Sequence, residues 1–128
     1  MILFFDRNIG KGIPEALRLL ELPVKIEAHH DHFDQAEKDD VWLSVVGRQG
    51  WIVISQDYKF HEIQSELEAF RQHEVGCFYV WGAEAAKWDT MRTFAKAYDK
   101  IVQEAARAIR PFAFKVEKRG NLNEIIIP

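Results

Sequence analysis

Apolar and polar positions follow two kinds of pattern along the first two thirds of the chain. Four short apolar runs have the length and composition of strands buried on both faces of a parallel sheet. Between them, apolar residues recur every three or four positions, as in an amphipathic helix. The predicted strands are residues 2–5, 23–30, 51–55 and 76–81, and the predicted helices are residues 13–21, 40–48 and 60–72. This alternation predicts an α/β protein with three α/β/α layers and a central, mostly parallel sheet.

The last third of the chain carries a different pattern. Apolar residues step by three and four from Trp88 to Ile109, which predicts one long helix or a broken pair over about residues 84–109, packed over the sheet. Pro111 ends this helix. The segments "FAFKV" and "NEIII" then flank "EKRGN", which predicts a terminal β-hairpin. Neither a repeat nor a linker interrupts the pattern, so we expect a single domain over residues 1–128.

Composition excludes several classes of protein. Apolar residues make up 48% of the 128 residues and the net charge is −3, which is typical of a globular domain and gives no bulk electrostatic attraction to nucleic acid. The lone cysteine, Cys77, excludes an internal disulfide framework and favours a reduced, cytoplasmic setting. No apolar stretch approaches the roughly 20 residues that span a membrane. The first apolar run is too short for a signal peptide, so we expect no secretion signal.

Two of the predicted strands end close to an aspartate. Asp6 follows "ILFF" and Asp57 follows "WIVIS" with one residue between. In an open parallel sheet, ligands bind beyond the carboxyl ends of the strands, where the strand order reverses. If the first and third strands are neighbours, their ends lie about 5 Å apart. Two carboxylates at that distance repel each other unless a cation neutralises them, and Mg²⁺ prefers oxygen ligands.

A third acid is expected at the same edge of the sheet. Asp39 and Asp40 begin the helix at residues 40–48, and this helix follows a loop that leaves the carboxyl end of the second strand. Three acids at this edge could hold one or two Mg²⁺ ions, which would activate water and stabilise the leaving oxygen in phosphodiester cleavage. Each acid also has a simpler interpretation. Asp39 could cap its helix, and Asp57 could begin a turn.

The order and separation of these motifs resemble the PIN-like domain family, in particular its VapC-type toxins. The resemblance rests on "FFDRNIG…IPEALR", "DDVWLSVVGRQGWIVISQD" and "RPFAFKV", and it covers nearly the whole chain. It implies a metal-dependent ribonuclease with Asp6, Asp39 and Asp57 as catalytic acids. These acids would bind Mg²⁺ or Mn²⁺, with Asp40 as a further or substitute ligand. The family commonly uses a fourth acid, and the candidates for this fourth ligand position are Glu62 and the amide side chain of Asn8.

Other polar residues suggest additional roles. Arg7 and Lys59 neighbour the acids, so we expect them to contact substrate phosphates, although ordinary solvated surface is the simpler interpretation. The histidines of "AHHDHF" make a zinc site conceivable, but their spacing favours a hydrogen-bonded loop. Tryptophans at helical and strand positions are expected to pack in the core.

We therefore expect a cytoplasmic, Mg²⁺- or Mn²⁺-dependent endoribonuclease that acts as the toxin of a type II toxin–antitoxin pair. Its partners would be an RNA substrate, a protein antitoxin and, in a homodimer, a second copy of the chain. One alternative is a catalytically inactive PIN-like binding module. Another is a phosphate- or small-molecule-binding α/β domain of the receiver type, which would need a lysine after a late strand. After the run at residues 76–81, the next lysine is Lys87.

Overall fold

A mostly parallel sheet forms the centre of the molecule. The computed structural model of the protein describes residues 1–57 and 62–128. Within these residues, six strands form one sheet in the order β2-β1-β3-β4-β5-β6, in which neighbouring strands run parallel except for the antiparallel pair β5–β6. The strands are β1 (Ile2–Phe5), β2 (Lys25–Ala28), β3 (Ile52–Ser55), β4 (Gly76–Val80), β5 (Phe112–Val116) and β6 (Leu122–Ile125). The prediction of a mostly parallel sheet ending in a hairpin is confirmed.

Helices cover both faces of this sheet. In the described part of the chain the α-helices are α1 (Gly12–Leu19), α2 (His29–His32), α3 (Asp39–Gln49), α4 (Gln64–Gln72) and α5 (Lys87–Arg107), and a short 3₁₀ helix covers Arg7–Ile9. One core lies between the sheet and helices α1 and α5, where Leu17, Phe94 and Ile101 are buried. The other lies between the sheet and helices α3 and α4, where Trp42 and Phe70 are buried. The structure therefore has the three α/β/α layers that the sequence predicts.

The two-residue period of the strands decides which face each side chain reaches. In β1, Phe5 packs in the core under α1 and α5, whereas Phe4 packs in the core under α3 and α4. Val53 of β3 lies on the same face as Phe4. Side chains two residues apart share a face. Asp6, two residues after Phe4, and Ser55, two residues after Val53, are therefore directed to the side of α3 and α4.

The second predicted strand is shorter than the sequence suggested. β2 ends at Ala28, and residues 29–32 form α2, where a strand end and a polar loop were predicted. The reason is the burial of His29, which is 1% exposed and packs between aromatic rings. Its ring centroid lies 5.4 Å from that of Phe33 and 5.7 Å from that of Trp42. The helical turn brings Phe33 and His29 onto the sheet, so this prediction was wrong.

The other helices differ from prediction mainly at their ends. The predicted helix 60–72 is present as α4 from Gln64, and part of its predicted first turn lies outside the described residues. The long helix is unbroken and covers the sheet, but both ends of the predicted apolar stripe are exposed, Trp88 by 69% and Ile109 by 89%. No helix among residues 1–57 and 62–128 has both the length and the apolar character to span a membrane.

Candidate active site

Four carboxylates of the described chain line one small recess. Asp6 follows β1, Asp57 follows β3, Asp39 begins α3, and Glu66 lies in α4. The recess encloses about 30 Å³, which is room for an ion and a water molecule. It lies at the carboxyl ends of β1 and β3, the point where the strand order reverses. The structure thus brings together the three acids singled out in the sequence, and we call this site the acidic recess.

A hydroxyl group links the two acids at the strand ends. Ser55 Oγ donates a hydrogen bond to Asp6 Oδ2 at 2.9 Å. Ser55 Oγ also accepts hydrogen bonds from the backbone N–H of Asp57 at 3.2 Å and from Asn8 Nδ2 at 3.1 Å. Asp6 Oδ1 accepts a further hydrogen bond from the backbone N–H of Arg7 at 2.7 Å. Asp6 is therefore fixed by Ser55 on β3 and by the backbone of the next residue, Arg7, which gives it the rigidity that a ligand-binding side chain requires.

Asp39, and not Asp40, supplies the helix acid to the recess. Asp39 Oδ1 accepts hydrogen bonds from the guanidinium of Arg7 at 2.5 Å and from Trp42 Nε1 at 2.8 Å. The N-cap position of α3 belongs to Lys38, so the interpretation of Asp39 as a capping residue is wrong. Asp40 is half-buried and is not among the residues that line the recess.

Glu66 is the acid that the sequence analysis missed. It is 9% exposed and lies on the buried face of α4, one helical turn before Phe70. Glu62, a candidate for the fourth acid, is exposed and does not line the recess. Asn8, the other candidate, contacts Ser55 and accepts a hydrogen bond from the backbone N–H of Gln56. The sequence did contain a signal for Glu66, because this acid falls on the apolar face of the predicted helix. A carboxyl group buried on such a face needs a partner, which indicates a site.

Burial and mutual repulsion shift the pKa values of two of these acids. Burial, a hydrogen bond with Asp39 and the negative charges of Asp39, Asp57 and Asp40 raise the pKa of Glu66 to about 8. Burial also raises the pKa of Asp6 to about 6, although its hydrogen bonds from Ser55 and Arg7 oppose the shift. Glu66 therefore holds its proton to a higher pH than an ordinary glutamate does, and Arg7 provides the nearby positive charge.

The donor chemistry of the recess fits a hard divalent cation. All four acids offer carboxylate oxygens, which Mg²⁺ and Mn²⁺ prefer, and repulsion among them falls when a cation binds. Among residues 1–57 and 62–128, however, no three acidic, histidine or cysteine side chains have the arrangement that would hold a metal ion, so the acids that line the recess would have to move closer together around a cation. The raised pKa of Glu66 favours its neutral form, and the Arg7 guanidinium pairs with Asp39, so both reduce the negative charge of the recess. A cation would therefore compete with the proton of Glu66.

The remaining predicted residues have other surroundings. Arg7 also donates hydrogen bonds to the carbonyl oxygens of Gln35 and Glu37, at 3.1 and 2.6 Å, so it ties the loop before α3 to the recess. Lys59 lies outside the described residues. Of the histidines considered for zinc, His32 contacts Glu27 at 2.8 Å. The phosphate-contacting roles expected of Arg7 and Lys59 stay predictions.

Comparison with known families agrees with this geometry. A family profile described as a PIN like domain matches residues 1–82, about two thirds of the chain. The chain belongs to the PIN-like domain family. The matched part of this PIN-like domain runs from β1 past the end of β4 and contains the whole acidic recess. The family generally has a nuclease fold, which the receiver-like alternative does not share. Neither a curated protein nor a solved structure gives a significant match to this sequence.

Proposed function

We propose that this PIN-like protein is a Mg²⁺- or Mn²⁺-dependent endoribonuclease that hydrolyses RNA phosphodiester bonds. The observation that carries the proposal is the acidic recess. Four separate segments of the chain place carboxyl groups around about 30 Å³ at the point where the strand order of the sheet reverses. Burying several acids together is costly, and a structure keeps such a cluster mainly where the acids have a function.

In this proposal the four acids of the recess hold the cation. Asp6, Asp39 and Asp57 are the proposed catalytic acids, and Glu66 is the fourth ligand. Asp40 is not proposed as a ligand, because Asp39 and not Asp40 lines the recess. When bound, the cation would make water a better nucleophile and stabilise the leaving oxygen. Glu66 has to lose its proton before it can serve as a ligand. Ser55 and Arg7 hold Asp6 and Asp39 in place.

The biological setting is proposed on the resemblance to VapC-type toxins. The spacing from Asp39 to Asp57 supports the role of a toxin in a type II toxin–antitoxin pair, with a protein antitoxin as partner. A cytoplasmic location and a homodimer accompany that role as predictions. We also propose that residues 1–128 form one PIN-like domain. In support, β5 pairs with β4 in parallel, which continues the sheet beyond the family match.

One observation favours a second candidate function, a PIN-like binding module without catalysis. The Arg7–Asp39 ion pair, at 2.5 Å, balances part of the acidic charge without a metal ion. A module of this kind would bind RNA or protein through the same face but leave RNA intact.

Incubation of the purified protein with a mixed pool of RNA distinguishes the two candidates. We expect fragmentation in Mg²⁺ and none in excess EDTA, with activity restored by Mn²⁺. Asp57→Asn should abolish fragmentation, whereas Asp99→Asn, on the exposed side of α5, should leave it unchanged. Intact RNA under every condition would contradict the nuclease and support the binding module. Equal degradation by wild type and Asp57→Asn would remove Asp57 from the mechanism.

A further inference from the structure

A larger recess adjoins the acidic recess at the same edge of the sheet. It encloses about 460 Å³ between the ends of β4 and β5 and the turn at residues 82–85. Sites for small ligands occupy roughly 300–1,000 Å³. Tyr79 lines both recesses, and Gln56, which lines the larger one, directly precedes Asp57. We call this larger space the side recess. A ligand in it would lie next to whatever occupies the acidic recess.

Strand register connects the two recesses through one row of residues. Asp6 lies beside Ser55, because its neighbour Phe5 pairs with Ile54. Ser55 pairs with Tyr79, and Tyr79 pairs with Lys115. Paired residues on adjacent parallel strands point to the same face, and strands lie about 4.8 Å apart, so the Lys115 backbone is roughly 10 Å from that of Ser55. A single strand of RNA that extends from the acidic recess is long enough to reach Lys115.

The side recess brings together three kinds of group that recognise nucleotides. Trp81 is a half-buried aromatic ring in its wall, and Lys115 lies on β5. Gln56 supplies an amide whose Nε2 donates to Thr90 Oγ1 at 3.4 Å. Thr90 is 2% exposed and in turn donates to the carbonyl oxygen of Gly82 at 3.1 Å. The amide of Gln56 is therefore oriented by a buried partner.

The charges in the wall indicate where a phosphate would lie. Glu84, on the turn at residues 82–85, would repel a phosphate on its own side of the recess. Lys115 lies on β5, with its Nζ 4.0 Å from Glu117. Lys118 Nζ is 5.0 Å from the centroid of the Trp81 ring, which adds positive charge close to that ring. A phosphate is therefore better accommodated near β5 than near the turn.

We propose that the side recess binds the nucleotide next to the scissile phosphate of single-stranded RNA. This inference rests on the proposed nuclease function and assigns a nucleotide subsite beside its acidic recess. Trp81 stacks on the base, Gln56 hydrogen-bonds to the base edge or ribose, and Lys115 pairs with the following phosphate. An unpaired strand is required, because bases inside a duplex cannot reach an aromatic ring in a recess.

Binding of a fluorescent single-stranded hexaribonucleotide, followed by anisotropy in Mg²⁺, tests the assignment. All binding measurements use protein that carries Asp57→Asn, because this substitution is expected to stop cleavage of the RNA during the experiment. Adding Lys115→Gln should weaken binding about fivefold, which corresponds to the largest contribution expected of an exposed ion pair. The plot of log affinity against log salt concentration should also become shallower, by the slope that corresponds to about one phosphate contact. Lys25→Gln is the matched control, because Lys25 is also a strand lysine with a glutamate two residues later, and it should have no effect. Trp81→Ala should weaken binding about tenfold, and Trp81→Phe should retain it.

The outcomes separate this inference from the proposed function. If wild type cleaves RNA, but Lys115→Gln and Trp81→Ala bind the hexanucleotide as Lys25→Gln does, the side recess is not a nucleotide site and the nuclease proposal stands. If binding depends on Lys115 and Trp81 while no RNA is cleaved, the side recess stands and the nuclease proposal fails. Equal affinity for a blunt RNA duplex of the same length would overturn the single-stranded substrate class.

Discussion

Replacing Asp39 by asparagine is expected to lower Mg²⁺-dependent RNA cleavage by at least about 100-fold, because a metal site contributes several kcal/mol to the transition state. Asparagine keeps the oxygen that accepts from Trp42 but removes the negative charge that a cation and Arg7 both use. The fold should therefore survive while the cation loses a ligand. The measurement is the initial rate of cleavage in Mg²⁺, with thermal unfolding recorded to confirm that the variant folds.

Asp40 provides a control at the adjacent position. It lies in the same first turn of α3 and bears the same charge, but it does not line the acidic recess. Asp40→Asn should therefore keep cleavage within about threefold of wild type, since it alters only the long-range field around Glu66. A large loss in Asp40→Asn with little loss in Asp39→Asn would show that the other acid of the pair faces the substrate.

The second large effect is a fall in stability of the metal-free protein as pH rises. The folded-state pKa of Glu66, about 8, and that of Asp6, about 6, both exceed their ordinary values. The folded protein then binds more protons than the unfolded chain between about pH 4 and pH 8, so these groups favour folding at low pH. Their contribution is lost as pH rises, first through the pKa of Asp6 and then through that of Glu66. Urea midpoints in EDTA at pH 5 and pH 8 measure the fall.

Glu66→Gln and added Mg²⁺ identify the source of that fall. Glutamine has the shape of the protonated acid but does not titrate, so Glu66→Gln should show a smaller fall between pH 5 and pH 8. At 100 times its Kd, Mg²⁺ should stabilise wild type at pH 8 by about 2.7 kcal/mol. The same Mg²⁺ concentration should stabilise it less at pH 5, where the cation has to displace the proton of Glu66. It should stabilise Glu66→Gln less. Identical pH dependence in the two proteins would exclude Glu66 as the responsible group.

Much of the fold was predictable because short-range patterns determine it. The apolar runs of β1, β3 and β4 are buried on both faces, so their composition reveals them without knowledge of their neighbours. The edge of the sheet at which the acids meet also followed from the sequence, since Asp6 and Asp57 follow strands that run parallel. Whether β1 and β3 are neighbours depends on pairing between distant segments. That adjacency could only be assumed from the sequence.

The parts that sequence reasoning missed depend on tertiary contacts. α2 forms because His29 packs against aromatic rings from other elements, and its local sequence reads as a polar loop. Glu66 becomes a site residue because α4 turns it toward Asp39, and a glutamate in a helix is usually on the solvent side. Ser55 was hidden as the last residue of an apolar run, although its hydroxyl joins Asp6 to the backbone of Asp57.

Calorimetric titration of the metal-free protein with Mn²⁺ tests most directly whether the four acids form a cation site. At pH 7, in two buffers with different heats of ionisation, wild type should show saturable binding accompanied by proton release, because Glu66 must give up its proton. Asp6→Ala should show greatly weakened binding. Wild type that takes up no Mn²⁺, or Asp6→Ala that binds it as tightly as wild type, would contradict the account.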